Sequence, residues 1–342
     1  MRKKIIVYLK NWRKDVNIAW EEDYERIKNY MKAFSDKQFF FDVQHVQNIR
    51  NFDGIAAIFR GTGGIFYSFL RDKKNVPIFV YGNLYGESLT ENKGLLEIPK
   101  IVFDMSYKSG IEFPVNKNTI YLPRGFYHDW KDEYRKKDVE FSQSVDLLFS
   151  GTDRIWRGDN YRQRLMNLLC PYIKVGIASD RFYWMRKNRD RSPRVNMDRR
   201  TRFIKPPRYA NSHMYNAAKF VLDLPWLDTN YQKYPKKHGN PNNQVVMLGW
   251  NIFRAASAGA NIITYDCPAN RLLGLKYENC EYYKNNVINL EAIAEEIIKI
   301  VNSYDPSIRD YNIKAVKKLF HEKHTYQQRW KFITDKVKEY LK

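Results

Sequence analysis

Three closely spaced arginines follow a strand-like apolar run. In the stretch from Val145 to Leu165 the run ends at Ser150, Gly151 and Thr152 form a small-residue turn, and Arg154, Arg157 and Arg162 lie before or inside the next helix. A turn of small residues lets backbone N–H groups approach an anion, and a helix N-terminus favours negative charge. Arginine adds planar, bidentate binding of phosphate. The same pattern also suits an ordinary strand–turn–helix with solvated arginines.

A second block, Val246 to Asp266, reads as an apolar helix with Asn251 and Arg254 at i, i+3, closed by Gly259 before another strand. The spacing puts Asn251 and Arg254 on one helix face near its start, within reach of a ligand. A core helix with a glycine C-cap satisfies the pattern equally well. Gly61-Thr62-Gly63-Gly64 lacks the Lys-Ser/Thr of a P-loop and the full dinucleotide fingerprint. Gly63 and Gly64 allow close approach of an acceptor or sugar, or simply a tight turn. His321 and His324 are spaced i, i+3 in His-Glu-Lys-His, which reads as a charged helix surface rather than a metal site, and no divalent metal is required.

The positive charge is concentrated. The 342 residues carry 59 Lys and Arg against 38 Asp and Glu, a formal net charge of +21. Residues 1–150 hold 24 basic and 20 acidic side chains, and residues 151–342 hold 35 and 18. Within the latter, Arg181 to Arg208 has eleven basic residues, with only Asp190 and Asp198 opposing them. Phe182, Tyr183, Trp184 and Phe203 are interleaved there. Such a field attracts polyanions in a sequence-independent, salt-sensitive way. Arg181, Trp184, Arg186, Arg189 and Arg191 are therefore expected to contact a polyanion, against the plainer reading of a solvated loop.

Composition excludes several classes. Hydrophobic residues make up 44% and aromatics 15% of the chain, enough for real cores and too much for wholesale disorder. Cys170, Cys267 and Cys280 include no CxxC pair, which argues against a disulfide framework or a cysteine zinc site. The apolar run Ile5–Leu9 is too short for a signal-peptide core, and no stretch approaches the roughly 18 apolar residues of a membrane helix. A soluble, cytoplasmic protein is expected.

These side chains need elements to position them. Buried-type strands are expected at Lys4–Leu9, Phe39–Val43, Ile55–Phe59, Val76–Val80, Ile101–Phe103 and Thr119–Leu122, with a helix at Ile18–Phe34 and another after Gly64. A polar stretch, His128 to Glu140, suits a linker. The pattern restarts with strand Val145–Phe149, helix Asn160–Leu169 and strand Ile173–Ile177. Met214–Lys219 reads as helical, Phe220–Leu224 as a strand, Val246–Ala258 as a helix and Asn261–Tyr265 as a strand. From Leu290 the chain reads as mostly helical, ending in Thr325–Leu341. Strand–helix alternation implies parallel sheets covered on both faces. The expected fold is α/β: two Rossmann-like, doubly wound domains facing a cleft. The expected division is 1–127, a linker at 128–143, 144–320, and a C-terminal helix at 321–342 that could cross back to the first domain.

Taken in order, Gly151 to Leu165, the Tyr215-containing segment, Asn251 to Gly259 and the tail from Lys318 resemble the GT-B nucleotide-sugar glycosyltransferases. The likeness is to the CgeB-like group and to phage DNA β-glucosyltransferases, and it covers about residues 145–342. It implies that the second domain binds a nucleoside-diphosphate sugar, UDP-glucose-like, with Gly151, Arg154 and Arg162 on the diphosphate. Lys205 and Pro207 would then lie near the base of the nucleotide. Arg254 stands where the family usually has a glutamate, so it would pair with phosphate, or the donor site is altered or dead. In the DNA enzymes an aspartate base follows a first-domain strand; the matching position here is Asn83, which leaves Glu87 and Asp104 as candidate bases. A retaining mechanism, which uses no such base, is also open. The first choice of acceptor is a hydroxymethylated pyrimidine flipped from phage DNA. The alternatives are a polysaccharide, an anionic cell-wall polymer or a protein as acceptor, and a non-catalytic nucleic-acid-binding protein on the same scaffold.

Overall fold

The computed structural model describes residues 2–9, 18–61, 64–73, 75–84, 91–126, 145–150, 161–178, 202–204, 215, 218–224, 226–227, 245–276, 280–284 and 289–342. The chain forms two compact units: Met1–Gly125 with Tyr326–Lys342, and Phe126–Thr325.

The first unit is built on apolar runs that can be buried from both sides. Its six-stranded sheet has the order β2-β1-β3-β4-β5-β6, with every neighbouring pair parallel. The strands are β1 (Lys3–Leu9), β2 (Phe39–His45), β3 (Ala56–Arg60), β4 (Ile78–Gly82), β5 (Ile101–Asp104) and β6 (Thr119–Tyr121). Helix α1 (Ile18–Phe34) joins β1 to β2, and α2 (Gly64–Asp72) joins β3 to β4. On one face Tyr8, Phe59, Val80 and Val102 pack with Phe66, Phe69 and Leu70 of α2. The C-terminal helix, Tyr326–Leu341, packs on the other face, bringing Trp330 to Tyr81, Phe332 to Phe103 and Tyr340 to Phe79. Lys338 on that helix donates to Phe34 O and pairs with Asp36, both at 2.6 Å. This partner, aided by the Phe39 and Gln38 amides, lowers the Asp36 carboxyl to about 2.

Asn116 closes the β5–β6 connection. Its Nδ2 donates to Leu96 O (3.0 Å), Glu97 O (3.2 Å) and Pro99 O (2.8 Å), while Oδ1 accepts from the Asn118 amide at 2.8 Å. Replacing Asn116 with alanine strands buried carbonyls. It is expected to cost about 2 kcal/mol, read as a lower urea midpoint; an unchanged midpoint would refute this account.

The second unit has the sheet order β14-β13-β10-β7-β8-β9, again parallel throughout. Its strands are β7 (Val145–Ser150), β8 (Val175–Ala178), β9 (Arg202–Ile204), β10 (Ala218–Leu222), β13 (Ile262–Tyr265) and β14 (Glu281–Tyr283). A two-stranded antiparallel ribbon pairs β11 (Trp226–Leu227) with β12 (Val245–Met247). The helices are α3 (Tyr161–Leu169), α4 (Trp250–Ala258), α5 (Pro268–Leu272), α6 (Leu290–Asn302) and α7 (Pro306–Lys323); the C-terminal helix of the first unit is α8. Leu165, Met166 and Leu169 of α3 and Ile293, Ala294 and Ile297 of α6 pack against Phe149, Ile177 and Leu222. Among the described residues, no helix is long and apolar enough to cross a membrane.

Two sequence expectations are corrected here. Ala218 and Lys219, read as helical, belong to β10, because pairing with β7 on one side and β13 on the other overrides a helix-tolerant sequence. The helix expected from Val246 begins at Trp250, since the β-branched Val245-Val246 pair lies in the ribbon and extended Gly249 (φ −69°, ψ 163°) caps the helix. Arg202 to Ile204, inside the basic segment Arg181 to Arg208, adds to the sheet as β9. The remainder of that segment, 181–201 and 205–208, and the proposed linker at 128–143 lie outside the described residues.

Candidate functional site

In the second unit the chain runs from β7 to β8 and β9 on one side, then crosses to β10, β13 and β14 on the other. The carboxyl ends of β7 and β10 therefore flank the topological switch point, where open α/β sheets bind ligands. Arg162, near the start of α3, reaches this edge. Its Nη2 donates to Leu224 O at 3.0 Å, and its guanidinium carbon lies 5.9 Å from the Phe149 ring centroid.

Directly after β10 stands Asp223, with no exposed surface. Oδ2 accepts the Thr264 hydroxyl at 3.1 Å; Asn270 Nδ2 in turn donates to Thr264 Oγ1 (3.1 Å) and Tyr265 O (2.7 Å). Burial pushes the Asp223 carboxyl up to about 6, against the Thr264 bond, the Arg162 charge and the Ile252 amide, which all favour the anion. Oδ1 accepts no hydrogen bond and lies 2.9 Å from where a Cβ on Gly249 would stand. Gly249 thus lets a buried carboxylate approach the start of α4, whose own N-cap carries no side-chain donor or acceptor. Asn251 and Arg254 occupy the second and fifth positions of α4 and are both half-buried. The sequence reading missed Asp223. Its only signal is a lone acid closing the apolar run Phe220-Val-Leu, just before Leu224-Pro225.

Of the other donor residues named from the sequence, Gly151, Thr152, Arg154, Arg157, Lys205 and Pro207 lie outside the described residues, as do Glu87, Gly63, Arg181, Trp184, Arg186, Arg189 and Arg191. Gly64 starts α2 with open space around a built Cβ, whereas Gly61 has φ +88° and abuts Gly82, where a Cβ would meet Gly61 Cα at 3.2 Å. The turn therefore needs glycine at 61 and 82.

Asp104 ends β5 and is wholly buried. It accepts from Ser109 Oγ (2.6 Å), the Ser106 amide (2.8 Å) and the Leu84 amide (3.2 Å). Burial pushes it up to about 6 despite these donors. The carboxylate ties the segment after β5 to that after β4.

The histidines correct the expectation of a charged helix surface. His321 Nε2 lies 3.2 Å from Ser257 O and His324 Nε2 2.8 Å from Leu273 O, while the His324 ring is buried beside Phe320. Each Nε2 faces a carbonyl and so carries the proton. The three cysteines are buried thiols; burial pushes Cys267 up to about 12, which makes it a poor nucleophile.

Asp104 and Asp223 carry a pH signature. A carboxyl that titrates near 6 when folded and near 3.8 when unfolded favours the folded state fully below 3.8. That contribution is lost as pH rises through 6. Glu112 and Glu281, also raised by burial, act in the same sense. Stability is therefore expected to fall between pH 4 and 6.5, by about 3 kcal/mol for each aspartate at most. Asp223→Asn should flatten part of that slope in urea titrations; an equally steep slope would contradict the burial argument.

No protein-family model matches the sequence, and neither does any curated protein. Solved structures do match. A glycosyltransferase from Rickettsia africae superposes with a TM-score of 0.64 over 100% of this chain and 99% of its own, at 10% identity. The fold is GT-B. HepE of Anabaena, in complex with UDP and glucose, matches with a TM-score of 0.60 over 99% and 100% of the two chains at 11% identity. An α-glucosyltransferase bound to UDP and a 13-mer DNA containing a hydroxymethyluracil base matches with a TM-score of 0.56 over 98% and 99%, also at 11% identity. At such identities the likeness is one of fold, and the roles of individual GT-B residues in this chain rest on its own geometry.

Proposed function

We propose that this protein is a glycosyltransferase that moves a sugar from a UDP-sugar to a hydroxyl acceptor, with the donor bound by the second unit. The observation that carries the reading is the meeting of Arg162, the start of α4 and buried Asp223 at the switch point of a GT-B sheet. The charge of Arg162 and the Ile252 amide of the α4 start both bear on the Asp223 carboxyl. A diphosphate here would be met by helix-start amides, by Arg162, and by Gly151, Thr152, Arg154 and Arg157 of the segment that follows β7 in the sequence. Asn251 and Arg254 on α4 flank that position, and Lys205 and Pro207 would adjoin the nucleotide base. The charge these groups neutralise grows as the sugar–phosphate bond breaks, so they lower the barrier as well as bind. Proton transfer is not assigned to Asp104, since its oxygens are held by internal donors and have no exposed surface.

The acceptor in this reading is a hydroxymethylated pyrimidine in DNA. Support comes from the eleven basic residues between Arg181 and Arg208, and from the DNA-bound α-glucosyltransferase of the same fold. Titration with UDP and UDP-glucose is expected to raise the melting temperature by several degrees at saturating ligand. Labelled glucose should also pass from UDP-glucose to a duplex containing hydroxymethyluracil. Binding of duplex without turnover of any nucleotide sugar would instead favour the non-catalytic reading suggested by Arg254. No stabilisation by any uridine nucleotide would end the proposal.

A further inference from the structure

Asp223 and a donor diphosphate would draw on the same two sources of positive potential. Arg162 Nη2 donates to the carbonyl of Leu224, the residue after Asp223, at 3.0 Å, and its charge bears on the carboxyl. The Ile252 amide, in the first turn of α4, bears on it as well. Gly249 at the N-cap makes room for this approach, since a Cβ there would stand 2.9 Å from Asp223 Oδ1. The donor reading sets the diphosphate against that same helix start and that same arginine. Two anions that share one cation and one helix terminus repel each other, and the one that can be neutralised takes a proton.

The carboxyl has an oxygen to receive that proton. Oδ2 is engaged by the Thr264 hydroxyl at 3.1 Å, and Asn270 Nδ2 holds that hydroxyl oxygen in turn at 3.1 Å, whereas Oδ1 accepts no hydrogen bond. Protonation of Oδ1 therefore breaks no existing bond. With no exposed surface, the anion also lacks hydration, and the carboxyl already stands at about 6. The nearby thiols keep their own protons: Cys267, before α5, is pushed up to about 12 and Cys280, before β14, well above its ordinary value, the charge of Asp223 adding to both. The other charged groups on these elements are Arg254 of α4, Asp266 after β13, paired with Arg271 at 2.8 Å, and Glu281 at the start of β14, raised by burial.

We infer that Asp223 makes donor binding proton-linked: the nucleotide sugar binds the second unit together with a proton that passes from solvent to Asp223 Oδ1. The inference rests on the donor reading and names the regulation of that same site. Ionised, Asp223 offsets part of the Arg162 charge; protonated, it leaves that charge to the diphosphate. Donor affinity therefore rises as pH falls through the neutral range, and bound donor in turn keeps Asp223 protonated, as linkage requires.

The test is calorimetric titration of the full chain with UDP-glucose, whose phosphates do not themselves titrate near neutral pH, in two buffers of different ionisation enthalpy. The parent is expected to take up about half a proton per donor at pH 7, and to lose affinity roughly tenfold from pH 6 to pH 8. Asp223→Asn, neutral at every pH, is expected to take up none and to bind more tightly than the parent at pH 8. A purely structural role for Asp223 predicts the reverse, weaker binding by the variant at both pH values. Should Asp223→Asn fail to fold, Thr264→Val serves: it removes a bond that favours the anion, so the pH dependence should move upward. Donor binding without proton uptake overturns the inference and leaves the donor site standing. Uptake that persists in Asp223→Asn, or a pH dependence unmoved in Thr264→Val, overturns the assignment to Asp223. UDP-glucose that binds at no pH ends the donor reading and this inference with it.

Discussion

Replacing Arg162 with alanine is expected to lower stability by about 2 kcal/mol and to weaken UDP binding roughly 10- to 100-fold. Two separate effects combine. The guanidinium offsets the charge of Asp223, which is buried and already pushed up to about 6, so its removal leaves an anion with less compensation and raises that carboxyl further. It also releases Leu224 O, the carbonyl that follows Asp223 and fixes the end of the β10 segment. A double-mutant cycle with Asp223→Asn separates the two effects. If charge balance dominates, the double variant should recover much of the stability lost by Arg162→Ala while UDP binding stays weak. Additive stabilities, with no coupling beyond error, would mean that Arg162 and Asp223 act independently, and the account of the site would fail. Arg162→Lys is expected to fall between, since it keeps the charge but loses the planar fork.

Arg162 was legible in the sequence because an apolar strand, a small-residue turn and an arginine-bearing helix are contiguous. Asp223 was not, because its meaning depends on Thr264, 41 residues later, and on a glycine at 249 that lets it approach α4. The same distinction runs through the fold. Strands β1, β3, β4 and β7 are buried on both faces and read as continuous apolar runs, which a sequence displays openly. Strands β9 and β14 have three residues each, Arg202-Phe-Ile and Glu281-Tyr-Tyr, and exist because a parallel neighbour supplies their hydrogen bonds. Ala218-Lys219 read as helix since local propensity is a weak prior beside pairing on two sides. The packing of Trp330 on Tyr81 was invisible for a related reason: the two meet through a helix returning from the far end of the chain.

The largest loss of stability is expected from Trp330→Ala, about 4 kcal/mol in the first unit. Tyr326, Trp330, Ile333 and Val337 form the buried stripe of α8, recurring at the three- and four-residue steps of one helix face. Trp330 is the largest of them and has no exposed surface. Alanine would leave a cavity beside Tyr81, whose ring is braced on one side by Trp330 and on another by Arg60. Trp330→Phe keeps most of the apolar contact and removes a buried N–H that has no partner, so it should cost no more than about 1.5 kcal/mol. Tyr340→Ala, on the same helix but 46% exposed, should cost less than Trp330→Ala by a wide margin. Chains with two units often unfold in more than one step. Because Trp330 belongs to the first unit, urea unfolding followed by a probe in each unit should show the first transition shifting while the second holds. A Trp330→Ala variant within about 1 kcal/mol of the parent would mean that α8 is dispensable to that sheet face, and the packing described for Phe79, Tyr81 and Phe103 would have to be abandoned.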